Sequence, residues 1–237
     1  MMALDSTPVI QYTVWPDELH GHRFTVSLII HHPNPQGQVV HMPAWIPGSY
    51  LIRDFSKHIE SITAFTLPKN QAEAKKKIAL ERLDNDRWRI PKGTGPCEII
   101  TTVYAFDQSV RTAYLDQERG FFNPTSLCLA VEGQAHLPCS LAIAPPHDQT
   151  NKHWQVQTTL RQVKTDASGF GFYMAKDYAD LIDHPVALGQ FETIEWQSFG
   201  TSHRMVIQGL TSEQSQLLDR KQLALALQQI CDATIRL

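Results

Sequence analysis

Between Arg23 and Ile30 the chain alternates, with Phe24, Val26, Leu28 and Ile30 interleaved with Arg23, Thr25 and Ser27. Period two sends successive side chains to opposite faces, so this stretch predicts a strand with one face on a core. Pro33, Asn34, Pro35 and Gly37 supply a turn, and residues 38–45 read as the returning strand. Residues 87–90 predict a short strand closed by Pro91-Lys92-Gly93, and residues 97–106 are rich in β-branched and aromatic side chains. Leu137, Cys139, Leu141 and Ile143 alternate again until Pro145-Pro146 ends the run. Residues 154–163 and 191–196 continue the theme. A turn at 198–202 pairs 191–197 with 203–209 as a hairpin. Recurrent short strands predict stacked antiparallel sheets rather than alternating β-α units.

Helical signals are fewer. Residues 175–183 hold one or two turns, halted before Pro185, because the residue preceding proline avoids helical angles. From Ser212 onward there is no glycine or proline, and good helix formers dominate. Thr211 or Ser212 caps that helix, and Leu223, Leu227 and Ile230 recur at helical spacing. The chain therefore divides into a β-rich domain, 1–210, and a helical segment, 211–237. An apolar helical stripe needs a partner, so the tail either packs back on the β domain or opens a further domain.

Composition narrows the possibilities. The 237 residues are 42% hydrophobic and 19% charged, enough for a real core, and the net charge of -3 offers no concentrated basic face for nucleic acid or an acidic membrane. Lys75-Lys76-Lys77, in a polar stretch at 70–77, reads as a solvated loop or helix face. Cys97, Cys128, Cys139 and Cys231 are widely spaced, which argues against a cysteine metal site and for buried free thiols in a reducing compartment. Residues 1–7 do not resemble a signal peptide, and no run approaches the roughly 20 apolar residues that span a bilayer. These features predict a cytoplasmic protein.

Catalytic signatures are sparse. There is no H-E-x-x-H. The histidines of His20-x-His22 could share a strand face, but no third ligand lies nearby, so they and His31-His32 read as exposed strand-end residues. Ser168 lacks the first glycine of a nucleophile elbow, and Gly169-Phe170-Gly171 reads as an aromatic-glycine loop rather than a phosphate cradle. Two segments concentrate unusual residues. In 42–55, Pro43 and Pro47 fix the backbone on either side of Trp45, Gly48 is able to take positive φ, and Tyr50, Arg53 and Asp54 follow. In 111–123, charge mixes with aromatics before a turn.

Pro43-Ala44-Trp45-Ile46-Pro47-Gly48-Ser49-Tyr50, then Arg53-Asp54-Phe55, resembles the signature near the start of M61 peptidases, the glycyl aminopeptidases. Ala113-Tyr114-Leu115-Asp116 to Arg119-Gly120-Phe121-Phe122-Asn123 resembles the same family, as does Tyr178 to Val186 followed by Gly189 and Phe191. The resemblance implies a mainly β fold, an antiparallel sandwich or saddle similar to the amino-terminal domain of M1 aminopeptidases, with a carboxy-terminal helix leading towards a missing thermolysin-like zinc domain. It implies no catalytic residue, metal or cofactor in this chain, with zinc in the full-length parent. The implied partners are the chain's own catalytic domain and, in the parent, a peptide substrate, with homo-oligomers through an exposed domain interface and no nucleic acid or membrane. An aminopeptidase must bind a free amino terminus, so Asp116, Gln117 and Glu118, with Arg119 as partner, and Tyr50 are the substrate-binding candidates. Pro43, Trp45, Pro47, Gly48, Ser49, Tyr50, Arg53 and Asp54 read as structural, with Arg53 satisfying buried carbonyls and Trp45 and Tyr50 in the core or at a domain interface. The alternative is a stand-alone β-sandwich module that binds a peptide or glycan. A domain lacking its partner exposes an apolar patch, whereas a true module does not.

Overall fold

The computed structural model describes residues 9–68, 73–147 and 153–236. Residues 1–7, Asn70 and Leu237 fall outside them. Contacts divide the chain into two compact units, residues 1–188 and 189–237. That boundary precedes the one predicted from the last strand, because the final hairpin forms a two-stranded sheet of its own.

The first unit opens with β1 (Ile10–Glu18) and β2 (Arg23–Ile30), paired antiparallel. The alternation appears as predicted: Phe24, Val26, Leu28 and Ile30 are buried with Ile10, Tyr12 and Val14. β3 (Gln38–His41) follows, then β4 (Ile59–Thr66), β5 (Lys77–Ile78), β6 (Glu81–Arg82), β7 (Arg87–Ile90) and β8 (Cys97–Tyr104). Next come β9 (Ala113–Leu115), β10 (Arg119–Phe122), β11 (Ala130–Val131), β12 (Cys139–Ile143), β13 (Gln155–Thr158), β14 (Arg161–Thr165) and β15 (Gly171–Ala175). Helix α1 (Tyr178–Ile182) stops short of Pro185, and β16 (Val186–Gly189) follows. An eight-stranded sheet runs in the order β14-β15-β12-β1-β2-β8-β4-β5, beside two four-stranded sheets, β11-β3-β7-β6 and β13-β16-β10-β9. One buried cluster takes residues from all three sheets: Leu28 and Leu141, Val40 and Trp88, Phe122 and Leu188.

Four expectations change. The large sheet is mixed, since β1 and β12 pair in parallel. β12 arrives after a long excursion through the other sheets, and a parallel pairing requires such a crossover. β3 does not return along β2, whose two edges are taken by β1 and β8, but pairs with β7 and β11. The buried side chain of Gln38 fixes that diversion: it accepts from Asn34 N and Gln134 Nε2 and donates to the carbonyls of Val39 and Glu132. Residues 154–163 split between two sheets at Thr159 and Leu160. Finally, the lysine run is not idle: Lys77 lies in the edge strand β5, and Lys75 forms an ion pair with buried Glu98, which also accepts from Ser27 Oγ at 2.7 Å.

The second unit holds β17 (Glu192–Ser198) and β18 (Thr201–Ile207), joined through Phe199 and Gly200 at positive φ, the backbone a two-residue hairpin needs. The predicted tail helix is two helices, α2 (Ser212–Leu217) and α3 (Arg220–Ile235), because Leu218 is extended and Asp219 caps a fresh start on Gln222 N. Thr211 caps α2 as expected, in a reciprocal capping box with Gln214. α3 packs on β17, with Ser198 Oγ donating to Asp232 Oδ1 at 2.5 Å. Leu223 and Leu227 are half-buried, but Ile230 points outward at 61% exposure and Cys231 takes its place. Among the described residues no helix is long and apolar enough to cross a membrane.

Candidate functional site

The segment 42–55 is a loop held at both ends and in its middle. Met42, Ile46 and Phe55 are buried, and Met42 N donates to Asp86 O at 2.9 Å. Ser49 N donates to Ile46 O, closing the Pro47-Gly48 turn, and Trp45 Nε1 donates to Ser49 O at 2.8 Å. Gly48 sits at φ 78° as expected, with open space where a Cβ would lie. Arg53 N donates to Ala44 O, drawing the two sides of the loop together. What this frame presents outward is apolar: Trp45 is 50% exposed, Tyr50 101%, Leu51 63% and Ile52 86%. Trp45 and Tyr50 are therefore not core residues. They lie between the buried anchors Met42, Ile46, Ser49 and Phe55, with their side chains turned away from the core.

Arg53 also departs from expectation. Its Nε is buried without an acceptor among the described residues, so this donor satisfies no carbonyl. Asp54 precedes the 3-10 turn Phe55–His58 but does not cap its backbone, and its Oδ1 accepts from Ser56 Oγ instead.

The second segment folds as the hairpin β9–β10. Asp116 organises its tip: Oδ1 accepts from Glu118 N and Arg119 N, both at 2.8 Å, and Oδ2 accepts from Tyr114 Oη at 2.7 Å. Burial pushes the Asp116 carboxyl up, but these hydrogen bonds and the Arg119 charge outweigh it and hold the group below the usual carboxylate range. The Arg119 guanidinium lies over the Tyr114 ring, 4.8 Å from its centroid, and does not pair with Glu118. Gln117 donates to His20 Nδ1. His22 Nδ1 lies 2.6 Å from Leu115 O; a carbonyl only accepts, so that nitrogen carries the proton. The two histidines thus occupy the β1–β2 turn and hold the hairpin, and His22 is half-buried rather than an exposed strand end. Its ring stacks 3.9 Å from Phe106, which stacks 5.2 Å from Tyr114. The strand predicted over 97–106 ends at Tyr104, and Phe106 instead forms an isolated bridge with Tyr114 that sets its ring in this column, a cross-chain pairing that alternation along the chain does not reveal.

Sequence motifs far apart in the chain meet here. Leu51, Ile52, Arg53 and Asp54 from the first line a groove of about 290 Å3 with Asp107 and with Thr112 from the second. His58, Asp107 and Thr112 also line a smaller adjoining hollow with Tyr104 and Phe106, both partly exposed. The 3-10 turn at Phe55–His58 packs on a second one, Pro124–Ser126, whose start is capped by Asn123. Loop and hairpin thereby form one face. The third motif is structural: Tyr178 Oη donates to Cys128 O at 2.6 Å, and Asp177 caps α1. So is the glycine loop, where Asp166 accepts from Ser168 N and Phe170 N.

No three His, Cys, Asp or Glu side chains converge on a metal position among the described residues. All four cysteines are free. Burial pushes the thiols of Cys97 and Cys139 up to about 11 and about 12, and that of Cys128 higher still, while Cys231 is half-buried.

A model of the peptidase M61 N-terminal domain matches residues 11–190. An aminopeptidase N family protein from Idiomarina loihiensis, known from a crystal structure, is 38% identical and superposes with a TM-score of 0.86 over 96% of this chain. This chain spans only 36% of that protein's length. Native yeast LTA4 hydrolase is 8% identical, with a TM-score of 0.40 over 78% of this chain and 29% of its own, a likeness too slight to bear on function. No curated protein matches the chain.

Proposed function

The chain belongs to the peptidase M61 N-terminal domain family, and from that premise we propose that it is the non-catalytic amino-terminal domain of a zinc metallo-aminopeptidase. In this reading its loop-and-hairpin face packs against the zinc domain and walls one side of the substrate cleft. The parent acts in the cytoplasm and hydrolyses peptides from the amino terminus, with a preference for glycine or alanine. The carrying observation is the exposed run Tyr50-Leu51-Ile52 on a firmly anchored loop. Contiguous apolar surface of this kind marks an interaction site, and a monomeric module gains nothing from exposing it. In this reading the zinc is held by the zinc domain and not by this chain.

The hairpin supplies the polar part of the cleft wall. A substrate ammonium needs an acceptor, and Asp116 is committed to its own turn while Gln117 is committed to His20. Glu118 is the exposed carboxylate at the tip and takes the amino-terminus role. The same apolar face, when bare, pairs two copies of the chain.

The test uses a longer polypeptide that carries the zinc-binding segment after this chain. Hydrogen exchange at residues 50–53 slows at least tenfold in the long form, and the long form alone binds zinc and releases amino-terminal glycine and alanine. Glu118→Gln in that form raises KM more than it lowers kcat. Unchanged exchange at 50–53 would sink the interface, and zinc binding or peptidase activity in the 237-residue chain would sink the division of labour. A monomeric chain that keeps residues 50–53 freely exchanging in the long form and takes up a glycan or peptide away from the Arg53 groove would establish the stand-alone module instead.

A further inference from the structure

The Arg53 side chain lines the 290 Å3 groove, and its Nε is shut off from water with no acceptor among the described residues. A guanidinium keeps its charge at every working pH and offers donors in a planar fork that matches a carboxylate. A buried donor without an acceptor is unfavourable, and a ligand oxygen that fills the gap removes that penalty. The groove's own carboxylates do not fill it. Asp54 Oδ1 accepts from Ser56 Oγ and Asp107 Oδ1 accepts from Ser109 N, each at 2.8 Å. Arg53 and Lys57 are balanced by these two acids, so the groove is not a basic patch and does not favour a polyanion. It offers one directed fork, suited to a single carboxylate. Leu51 and Ile52 stand beside the fork and give it an apolar rim. Arg53 as a whole is only half-buried, so the rest of its side chain is open to the groove.

We propose that this groove is a carboxylate subsite, in which Arg53 holds the terminal α-carboxylate of a short peptide while Leu51 and Ile52 contact its last side chain. Assigning the carboxylate to a peptide rests on the peptidase reading. The test uses this chain alone, so it can fail while the domain interface stands, and the converse also holds. The chain is titrated with Gly-Gly-Leu, with the same peptide amidated at its carboxy terminus, and with amidated Gly-Asp-Leu, while the Arg53 Nε–H resonance is followed by NMR. Gly-Gly-Leu moves that resonance to saturation, and both amidated peptides bind about tenfold more weakly, as expected for loss of one charge-assisted fork. Arg53→Lys keeps the charge but loses the fork, so it weakens the discrimination, and Arg53→Gln abolishes it, while circular dichroism stays unchanged. Equal binding of free and amidated Gly-Gly-Leu, or a saturating ligand that leaves Nε–H unmoved, overturns the proposal. Tighter binding of amidated Gly-Asp-Leu overturns the terminal assignment in favour of an acidic side chain. If Arg53→Lys does not fold, the comparison of peptides on the unaltered chain still decides.

Discussion

At the scale of single residues, the hairpin tip and the two constrained glycines separate structure from site. Asp116 takes three hydrogen bonds within six residues of chain, so Asp116→Ala removes acceptors from Tyr114, Glu118 and Arg119 together. The expected loss is about 1–3 kcal/mol at pH 7. The Asp116 carboxyl titrates below its unfolded value, so its contribution is present above the unfolded pKa and is lost as pH falls through the folded one. Urea unfolding at pH 7 and pH 3 checks this: the gap between wild type and variant narrows at pH 3, and a gap of unchanged size would show that the charge is not responsible. Gly48 and Gly171 both have positive φ, at 78° and 137°, but for different reasons. A Cβ on Gly48 meets nothing, so Gly48→Ala costs only the left-handed backbone strain, about 1–2 kcal/mol. A Cβ on Gly171 would meet Lys164 O and the Cα of Thr165 inside the ladder, so Gly171→Ala costs about 3 kcal/mol or more. Thermal denaturation of the pair tests that order, and equal losses would refute it. Gly48 is thus a turn residue in an open loop, and not a point of close packing.

At the scale of elements, the sheet β11-β3-β7 carries a pH dependence of its own. His41 lies on β3, 3.7 Å from Glu132 Oε1, which also pairs with Arg87 on β7. Burial and then the Arg87 charge push His41 below the ordinary histidine value, against an upward pull from Asp86. An unfolded histidine binds its proton near pH 6.5, so below that the unfolded state holds more protons and stability falls with pH. His58 is lowered too, by burial and Lys57, so His41→Gln removes only part of the slope. Urea midpoints should fall less between pH 7 and pH 5 in His41→Gln than in the wild type, and an unchanged slope would contradict this account. Elements of this kind were partly legible in the sequence. β2, β7 and α1 are where periodicity and turn residues put them, and the β17–β18 hairpin forms as expected but with a tighter turn, Phe199-Gly200 rather than 198–202, since each is specified by contacts close in sequence. The partner of β3 and the parallel pairing of β1 with β12 were not legible, because they depend on which strand edges remain free after the others pair. The site divides the same way. Pro47-Gly48 and the hairpin tip are local chemistry and could be read. The exposure of Trp45 and Tyr50, the orphan donor of Arg53 and the anchoring by His20 and His22 arise from distant residues and could not.

At the scale of the whole molecule, burial is distributed unevenly between the two compact units. The contiguous apolar cluster runs from Ile10 to Leu188 and lies within the first unit. In the second, neither α2 nor α3 contains a buried residue, and Leu217, Leu225, Ile230 and Ile235 are all more than half exposed. Helices gain most of their stability from packing an apolar face rather than from propensity, so α2 and α3 open at a lower free energy than the central strands. The capping box at Thr211 and the Arg220–Glu192 pair at 2.8 Å offset this only modestly, since caps contribute about 1 kcal/mol and exposed pairs less. Hydrogen exchange on the 237-residue chain should therefore show α2 and α3 amides exchanging in a first cooperative step, while β1, β2 and β8 exchange only with global unfolding. In a longer polypeptide that supplies a partner for the exposed side of α3, that first step should vanish and the helix amides should slow towards the rate of the strands. Exchange of α3 and β2 in a single step in the short chain would instead mean that the two units share one cooperative fold.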